Sequence, residues 1–332
     1  MKRALAIRAL SLSGIRHLLE LSPPWQGVVC LNYHRIGYDA RSPLDRGAWS
    51  ADVDFFVRQM QWIKANFDVI TPADLDDARR RGRGRYVIVT FDDGYLDNFT
   101  VAFPILKRLG LSATFFVSTA FLDNPRDMTW WDEVAWMIRT SARPGIDRCA
   151  RFPEGLLFDG PDRDRAITAA LRSYKALPAG DGVPFLDDLA AATGTARPTH
   201  GYDDDVWMTW DMVRTLRAEG MRIGGHSVTH PILAELAADQ QWAEIDGCGQ
   251  RLAEELGEPM RYFSYPVGSR RAFTVETRRC LQRAGVQFAF SYYGGYRRFS
   301  DWDDLDIRRI KMERFMGEAW FRTVMALPGI FG

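Results

Sequence analysis

The order of apolar and polar residues predicts short strands that alternate with helices. Gly27–Tyr33 and Arg85–Phe91 are short runs rich in β-branched and aromatic side chains, as in buried strands. Helical spacing follows each of them, at residues 52–66 and at about 98–109. Further short strands are predicted at residues 68–71, 113–118, 222–225, 262–265, 288–291 and 307–311. Such alternation is typical of a mainly parallel sheet, either a barrel or a doubly wound sheet.

Residues 123–205 interrupt this alternation. Their pattern is mostly helical with Gly and Pro turns, so we predict a mainly helical insertion that covers one side of a barrel mouth. The main domain is then residues 27–320. Tryptophan faces stack on sugar rings but also fill cores, and we expect at least three of the insertion's five tryptophans to be core residues. These five, in or beside the insertion, are Trp130, Trp131, Trp136, Trp207 and Trp210.

The N-terminal segment, residues 1–26, has apolar residues at helical spacing with arginines between them. We predict an amphipathic helix packed on the domain, with contact to the inner membrane face as the alternative. Arg8 interrupts the apolar run and no small-residue cleavage site follows, so a cleaved signal peptide is not expected. The expected location is therefore the cytoplasm.

Charge and cysteine content narrow the classes of function. Lys plus Arg and Asp plus Glu both number 43, which removes the electrostatic argument for a nucleic-acid partner. The four cysteines are too few and too scattered for a disulfide scaffold, and they lack the close spacing of a thiolate zinc site.

A pair of histidines, His226 and His230, follows the strand predicted at 222–225. Four residues apart, they would share one face of a helical turn and could bind one metal ion. A pair of surface histidines is the simpler alternative. The chain has only five histidines, however, and two of them lie beyond a strand end, where ligands gather in parallel sheets.

Two adjacent carboxylates, Asp92 and Asp93, lie at the end of the strand Arg85–Phe91, before Gly94. One of them can complete a three-ligand metal site while the other remains free as a base. A bound cation would also relieve the repulsion between them. The alternative is a helix N-cap or an acidic turn, which leaves the histidine pair without an anionic partner.

These motifs resemble those of the polysaccharide deacetylase family, also called the NodB-homology domain or carbohydrate esterase family four. The residues concerned are TFDDG at 90–94, HSVTH at 226–230 and RYFSYPVG at 261–268, and the resemblance covers roughly residues 27–120 and 208–312. It implies a deformed (β/α) barrel and one divalent metal ion, usually zinc. By resemblance, Asp93, His226 and His230 would hold the metal, Asp92 would be the general base, and the Val267 N–H would stabilise the oxyanion.

The chain departs from the family pattern in two places. The family has an arginine and a proline where this chain has Ser264 and Tyr265, and that arginine normally contacts the base. We consider Arg309, in the strand predicted at 307–311, as its replacement. The family's C-terminal histidine, a general acid, is also missing, since no histidine follows His230.

A subgroup with Y-P-x-G in the third motif is more similar to this chain. Its members have Y-H-x-ϕ, where ϕ is apolar, near the start of the domain, and residues 33–36 (YHRI) match that element. By resemblance, His34 would be the displaced general acid. The alternative is a half-buried histidine that closes the first strand.

The sequence thus predicts a metal-dependent N-deacetylase that acts on an amino sugar in a saccharide, sugar nucleotide or lipid-linked glycan. We also expect Tyr265, Trp131 and Arg309 to contact this carbohydrate substrate. Two alternatives stay open: a hydrolase of another linear or cyclic amide, and a sugar-binding module that has lost catalysis.

Overall fold

The computed structural model describes residues 25–149, 151–158, 160, 163–178, 180–198 and 205–332. The helix predicted at residues 1–26 lies outside them except for Trp25 and Gln26, which are not helical. That helix and its membrane contact stay predictions. Within the described ranges, no helix combines the length and the apolar character needed to cross a bilayer.

Seven parallel strands close into a barrel, as the family resemblance implied. The strands of the described residues are β1 (Gly27–Tyr33), β2 (Arg35–Ile36), β3 (Trp49–Ala51), β4 (Asp68–Val69), β5 (Arg85–Phe91), β6 (Thr114–Val117), β7 (Gly145–Ile146), β8 (Leu156–Leu157), β9 (Arg222–Gly225), β10 (Tyr262–Ser264), β11 (Phe288–Ser291) and β12 (Ile307–Lys311). The order around the barrel is β1-β12-β11-β10-β9-β6-β5, and β5 pairs with β1 to close it, while β4 pairs with Tyr86 and Val87 in the first half of β5.

The helices lie largely where the periodicity predicted them. Helix α1 begins after Asp52, whose carboxylate accepts a hydrogen bond from the Phe55 N–H. The helix predicted at 98–109 begins with a π-helical turn, Asn98–Ala102. The α-helices are α1 (Val53–Asn66), α2 (Leu75–Arg81), α3 (Phe103–Leu109), α4 (Thr119–Asp123), α5 (Trp130–Thr140), α6 (Asp164–Tyr174), α7 (Gly182–Thr193), α8 (Trp210–Ala218), α9 (Ala238–Leu256), α10 (Val275–Arg283), α11 (Glu318–Ala326) and α12 (Pro328–Phe331), and short 3-10 helices lie at Arg46–Ala48, Pro72–Asp74 and Leu233–Glu235.

Most residues of the barrel strands are buried, as is expected of parallel strands covered by helices. All residues of β1 are buried, and in β5 only Arg85 is partly exposed. In β9, a Cβ on Gly225 would lie 2.2 Å from the Met260 sulfur, so glycine is needed for this close packing. The apolar runs that predicted strands therefore became the barrel wall.

Strand register brings the candidate catalytic residues to one edge of the barrel. Tyr33 pairs with Phe91 across β1 and β5, so His34 and Asp92 leave neighbouring strands at the same level. Val117 pairs with Gly225, and Gly225 with Phe263, which puts the ends of β6, β9 and β10 together. This is the carboxyl-terminal edge, where barrel enzymes carry their active sites.

The chain divides into two compact units. The first, residues 1–37, 49–123 and 206–332, contains the barrel, and the second comprises residues 38–48 and 124–205. Within the second unit, α5, α6 and α7 pack around their own apolar core, and β7 and β8 form a short antiparallel pair. A mainly helical insertion was predicted at about residues 123–205, and residues 38–48 were not part of that prediction. That the insertion covers the barrel mouth stays a prediction.

Candidate active site

One carboxylate and two imidazoles converge at the carboxyl-terminal edge of the barrel. Asp93 Oδ1 lies 3.3 Å from Nε2 of His226 and 3.4 Å from Nε2 of His230. One possible ligand atom from each of the three residues lies within 4.8 Å of the others. All three side chains are buried. The spacing and burial make this a candidate metal site.

The imidazole of His226 is oriented by its second nitrogen. Its Nδ1–H donates a hydrogen bond to the Ser264 carbonyl, at 2.7 Å, so Nε2 is the nitrogen that faces Asp93. A metal-binding histidine is commonly held in this way, because the bond selects the tautomer and fixes the ring. His226 is therefore prepared to act as a ligand.

The segment from His226 to His230 is a loop and not the helical turn that the sequence analysis assumed. Ser227 has φ +64° and His230 has φ +61°, so the backbone turns through the left-handed region twice. The Glu244 carboxylate accepts hydrogen bonds from the N–H groups of Val228 and Thr229, both at 2.9 Å. The two imidazoles still meet, but through this tight loop.

Backbone strain is concentrated at this site. Among the described residues, five non-glycine residues have positive φ, and four of them belong to the candidate site: Asp93, Ser227, His230 and Val267. The left-handed region costs a non-glycine residue about 1–2 kcal/mol. Such strain tends to be retained where function requires the geometry.

The donor set itself tests whether a metal fits. Asp93 Oδ1 is buried and has no hydrogen-bond partner within the described part of the chain. It points to the same place as the two imidazole nitrogens. One carboxylate and two imidazoles suit a divalent metal, so the residues fit.

Charges in the site favour metal binding. Burial alone would raise the pKa of Asp93, but the close contact with His226 and the nearby histidine charges lower it. Burial would lower the pKa of His226, but the charges of Asp92 and Asp93 raise it. Burial and then the His226 charge lower the pKa of His230 to about 3. Near neutral pH, Asp93 is thus ionised and His230 neutral.

Asp92, the candidate base, is held by Arg309. Its Oδ1 accepts from Nη1 of Arg309 at 2.7 Å and its Oδ2 from Nη2 at 2.8 Å. Asn32 and Ser264 also donate to Oδ2, at 3.0 and 3.1 Å. Burial alone would raise the pKa of Asp92, but the charge and hydrogen bonds of Arg309 together with the charge of His226 outweigh it, so the pKa lies well below its usual value. Asp92 is therefore ionised and fixed.

Arg309 takes the place of the family's missing arginine next to the base, and it does not act as the substrate contact we expected. Its remaining N–H groups donate to the Ser291 carbonyl, to Thr90 Oγ1 and to Ser264 Oγ. All five guanidinium donors thus have acceptors within the protein, and the side chain is fully buried. It positions Asp92 and has no donor left for a substrate.

Two polar residues of this network were not identified from the sequence. Asn32 is a lone amide in the apolar strand β1, which is a signal that could have revealed it. Ser264 gave no such signal. Because it is small, Arg309 Nη2 can reach its hydroxyl at 2.7 Å.

His34 lies at the same barrel edge. It interacts electrostatically with Asp93 and Asp92, and burial lowers its pKa below the usual value. Its backbone is clamped, since its N–H donates to Ser50 Oγ at 2.9 Å and its carbonyl accepts from Asn98 Nδ2 at 2.6 Å. The structure thus brings His34 near both carboxylates, as the strand register requires.

The turn after β10 carries the candidate oxyanion contact. Val267 has φ +60°, which is strained for a β-branched residue. Tyr265, which we expected to contact substrate, is 1% exposed, and its hydroxyl donates to the Leu305 carbonyl at 2.8 Å. As placed, the Tyr265 side chain is an interior packing residue. Trp131 lies in α5 of the second unit, where it is 7% exposed, and its substrate contact stays a prediction.

Comparison with known proteins identifies the family of this chain. The family model described as polysaccharide deacetylase matches residues 79–141 and 186–289, together half of the chain. The chain belongs to the polysaccharide deacetylase family. It is therefore a member of a hydrolase family that removes acetyl groups from polysaccharides.

A sequence relative and two solved structures are similar to it. The poly-β-1,6-N-acetyl-D-glucosamine N-deacetylase of Escherichia coli is 28% identical over 118 residues, which are 34% of this chain and 17% of that enzyme. The deacetylase PplD of Streptococcus pyogenes has a TM-score of 0.56 at 18% identity, over 89% of this chain and 95% of that one. IcaB of Ammonifex degensii has a TM-score of 0.55 at 18% identity, over 91% and 97%.

These likenesses differ in what they show. At 18% identity the two structures show the fold alone. The sequence matches span 28% or less of the relatives' own lengths. The comparisons therefore show that this chain belongs to the deacetylase family and has its barrel fold.

Proposed function

We propose that this protein is a metal-dependent N-deacetylase that hydrolyses the acetamide of an amino sugar. The observation that carries the proposal is the convergence of Asp93, His226 and His230 beside a second, separately held carboxylate, Asp92. A ligand set and a free base at one strand edge are what hydrolysis of an amide by an activated water needs.

Asp93, His226 and His230 would hold one divalent ion, and zinc is the metal whose usual ligands they are. Bound there, it would polarise the acyl carbonyl and lower the pKa of a water. His226 is oriented for this by the Ser264 carbonyl. The strained backbone at Asp93 and His230 holds the other two donors in place.

Asp92 would accept the proton of the attacking water. Arg309 keeps it ionised and fixes both oxygens, at the expense of basicity, because a lowered pKa weakens the base. In return, the Asp92 carboxylate is already held in position, so less entropy is lost when the transition state forms.

Val267 would act on the oxygen of the scissile amide, and His34 would act on its nitrogen. The Val267 N–H would donate to the developing oxyanion. His34 would protonate the leaving amine, without which a C–N bond breaks poorly near neutral pH. Because its pKa is lowered, its protonated form is the minor one near neutral pH but a stronger acid than free imidazolium. The clamp on the His34 backbone supports a positioned acid rather than a histidine that merely closes the strand.

A saccharide that contains N-acetylglucosamine is the first substrate to test. The Escherichia coli relative is named as a deacetylase of poly-β-1,6-N-acetyl-D-glucosamine, and we extend that substrate class to this chain as part of the proposal. The experiment is a screen of the purified, metal-loaded protein for acetate release. It compares β-1,6- and β-1,4-linked N-acetylglucosamine oligosaccharides, N-acetylhexosamine nucleotides and lipid-linked sugars.

The outcomes of this screen separate the alternatives. Acetate released from one saccharide class supports the proposal and selects the substrate. Hydrolysis of simple or cyclic amides alone would indicate the other hydrolase class. Saccharide binding without any release, in metal-loaded protein, would indicate a non-catalytic module.

A further inference from the structure

Tyr292 lies beside the candidate acid and base but has no part in the roles described above. It follows Ser291, the last residue of β11, at the same barrel edge as the site. Its ring meets the His34 ring edge-on, with 5.5 Å between centroids. The Arg309 guanidinium carbon lies 5.8 Å from its ring centroid. Tyr292 is therefore next to both the proposed acid and the arginine that holds the base.

The turn after β10 fixes the position of Tyr292. Its backbone N–H donates to the Gly268 carbonyl at 2.7 Å. A Cβ on Gly268 would lie 2.5 Å from the Tyr292 Cβ, so the two backbones approach as closely as glycine permits. Since Gly268 follows Val267, Tyr292 is tied to the turn that carries the proposed oxyanion donor.

The Tyr292 hydroxyl is buried and has no hydrogen-bond partner among the described residues. Other tyrosines nearby are satisfied: Tyr265 donates to the Leu305 carbonyl, and Tyr293 donates to Asp306. A buried phenol usually finds a partner, because leaving it without one costs free energy. At the edge of a binding site, an oxygen of the substrate can be that partner.

The charges around Tyr292 suit a polar, neutral ligand. Burial raises its pKa well above the usual value, and the Glu313 and Asp92 charges raise it further, so the hydroxyl stays protonated. Lys311 Nζ lies 5.9 Å from the ring centroid and pairs with Glu313 at 2.5 Å. Together the three side chains offer donors and acceptors of the kind that sugar hydroxyls match.

We propose that the Tyr292 hydroxyl forms a hydrogen bond with a ring hydroxyl of the sugar that carries the acetamide. Tyr292 is then a specificity residue, which favours a sugar over a simple acetyl compound. Its place beside His34, the proposed acid for the leaving amine, puts it on the sugar side of the scissile bond. The inference rests on the proposed deacetylase function.

The test compares Tyr292→Phe with the matched control Tyr293→Phe in metal-loaded protein. The substrates are a β-1,6-linked N-acetylglucosamine oligosaccharide and 4-nitrophenyl acetate, which has no sugar hydroxyl. For Tyr292→Phe, we expect the ratio of kcat/KM for the saccharide to that for the ester to fall about five- to ten-fold, the size of one neutral hydrogen bond. For Tyr293→Phe, the ratio stays the same.

Thermal unfolding distinguishes a substrate contact from a structural role, because removal of a structural hydroxyl would lower Tm. Tyr292→Phe removes an unsatisfied hydroxyl and should leave Tm unchanged or raise it. Tyr293→Phe breaks the bond to Asp306 and should lower Tm. An unchanged substrate ratio for Tyr292→Phe, or a lowered Tm with equal loss on both substrates, overturns the inference alone. A metal-loaded wild type that releases no acetate from any saccharide overturns the proposed function as well.

Discussion

Both carboxylate oxygens of Asp92 contact the guanidinium of Arg309, at 2.7 and 2.8 Å, although the two residues are 217 positions apart in the chain. Strands β5 and β12 both pair with β1 on its two sides, so Asp92, at the end of β5, lies near Arg309, in the middle of β12. The two-pronged contact requires a planar cation with paired donors, and lysine cannot replace it.

Replacing Arg309 should separate the positioning of the base from metal binding. In Arg309→Lys, we expect kcat to fall about 100-fold, because Asp92 loses its fixed geometry, while metal content stays the same. In Arg309→Met, the free energy of unfolding should fall by about 3–5 kcal/mol, because a buried carboxylate loses its partner. Steady-state rates, metal analysis and denaturant unfolding measure these effects.

Arg297→Lys is the matched control, since Arg297 is also a buried arginine, and it pairs with Asp306 at 2.8 Å outside the candidate site. It should lose stability without a specific loss of kcat. Equal losses of kcat in both variants would argue against a positioning role for Arg309.

Metal binding should release one proton, and that proton comes from His226. Its pKa is raised above the usual value, so the metal-free protein holds a proton there at pH 6, whereas Asp93 is ionised and the pKa of His230 is about 3. A protonated imidazole cannot bind metal, so affinity should rise with pH and level off above the His226 pKa. Titration calorimetry at pH 6 in buffers of different ionisation enthalpy counts the protons. An affinity independent of pH between 6 and 8 would contradict this assignment.

His34→Ala should discriminate between leaving groups. An amine leaves poorly without a proton, so acetamide hydrolysis should fall about 100- to 10,000-fold. The phenolate of 4-nitrophenyl acetate needs no proton and should leave nearly as before. Rates on both substrates, with metal content as the control, test the role. If both rates fell in parallel, His34 would not be the general acid.

Val267→Gly should retain activity, because the proposed contact is the backbone N–H. Glycine adopts φ +60° without the steric strain that valine has there, but it loses more chain entropy on folding than valine does. The net effect should be an increase of about 1 kcal/mol in the free energy of unfolding. Acetate release and denaturant unfolding measure the two effects. A large loss of kcat, at unchanged metal content, would mean that the valine side chain itself acts.

Much of the barrel could be predicted from the sequence because its strands are short apolar runs with clear ends. Strands β1, β5, β9, β11 and β12 have the predicted bounds. For β1, β5 and β11 this follows from burial on both faces, which requires a mostly apolar sequence. The closure of β5 onto β1 was implied only by family resemblance. Residues 38–48, which join the second unit, carry no pattern that separates them from an ordinary loop.

The site was less predictable where it depends on backbone conformation. The pair His226 and His230 was identified by spacing, but the helical turn assumed for it was wrong, because nothing in HSVTH signals positive φ at Ser227 and His230. The need for a cation beside Asp92 led to Arg309. Its substrate contact was wrong, because only the structure shows where its five donors go. Tyr292 escaped notice, since an unsatisfied hydroxyl is visible only after folding.

Asp92→Asn, measured for metal content and acetate release together, tests the central claim most directly. The substitution keeps the shape of the side chain and leaves Asp93, His226 and His230 intact, whereas Asp93→Asn, as the control, should lose the metal. We predict that Asp92→Asn binds metal as the wild type does and loses acetate release by about 100- to 10,000-fold, the contribution of a general base. Metal-replete Asp92→Asn that still deacetylates the saccharide at near wild-type rates would contradict the account.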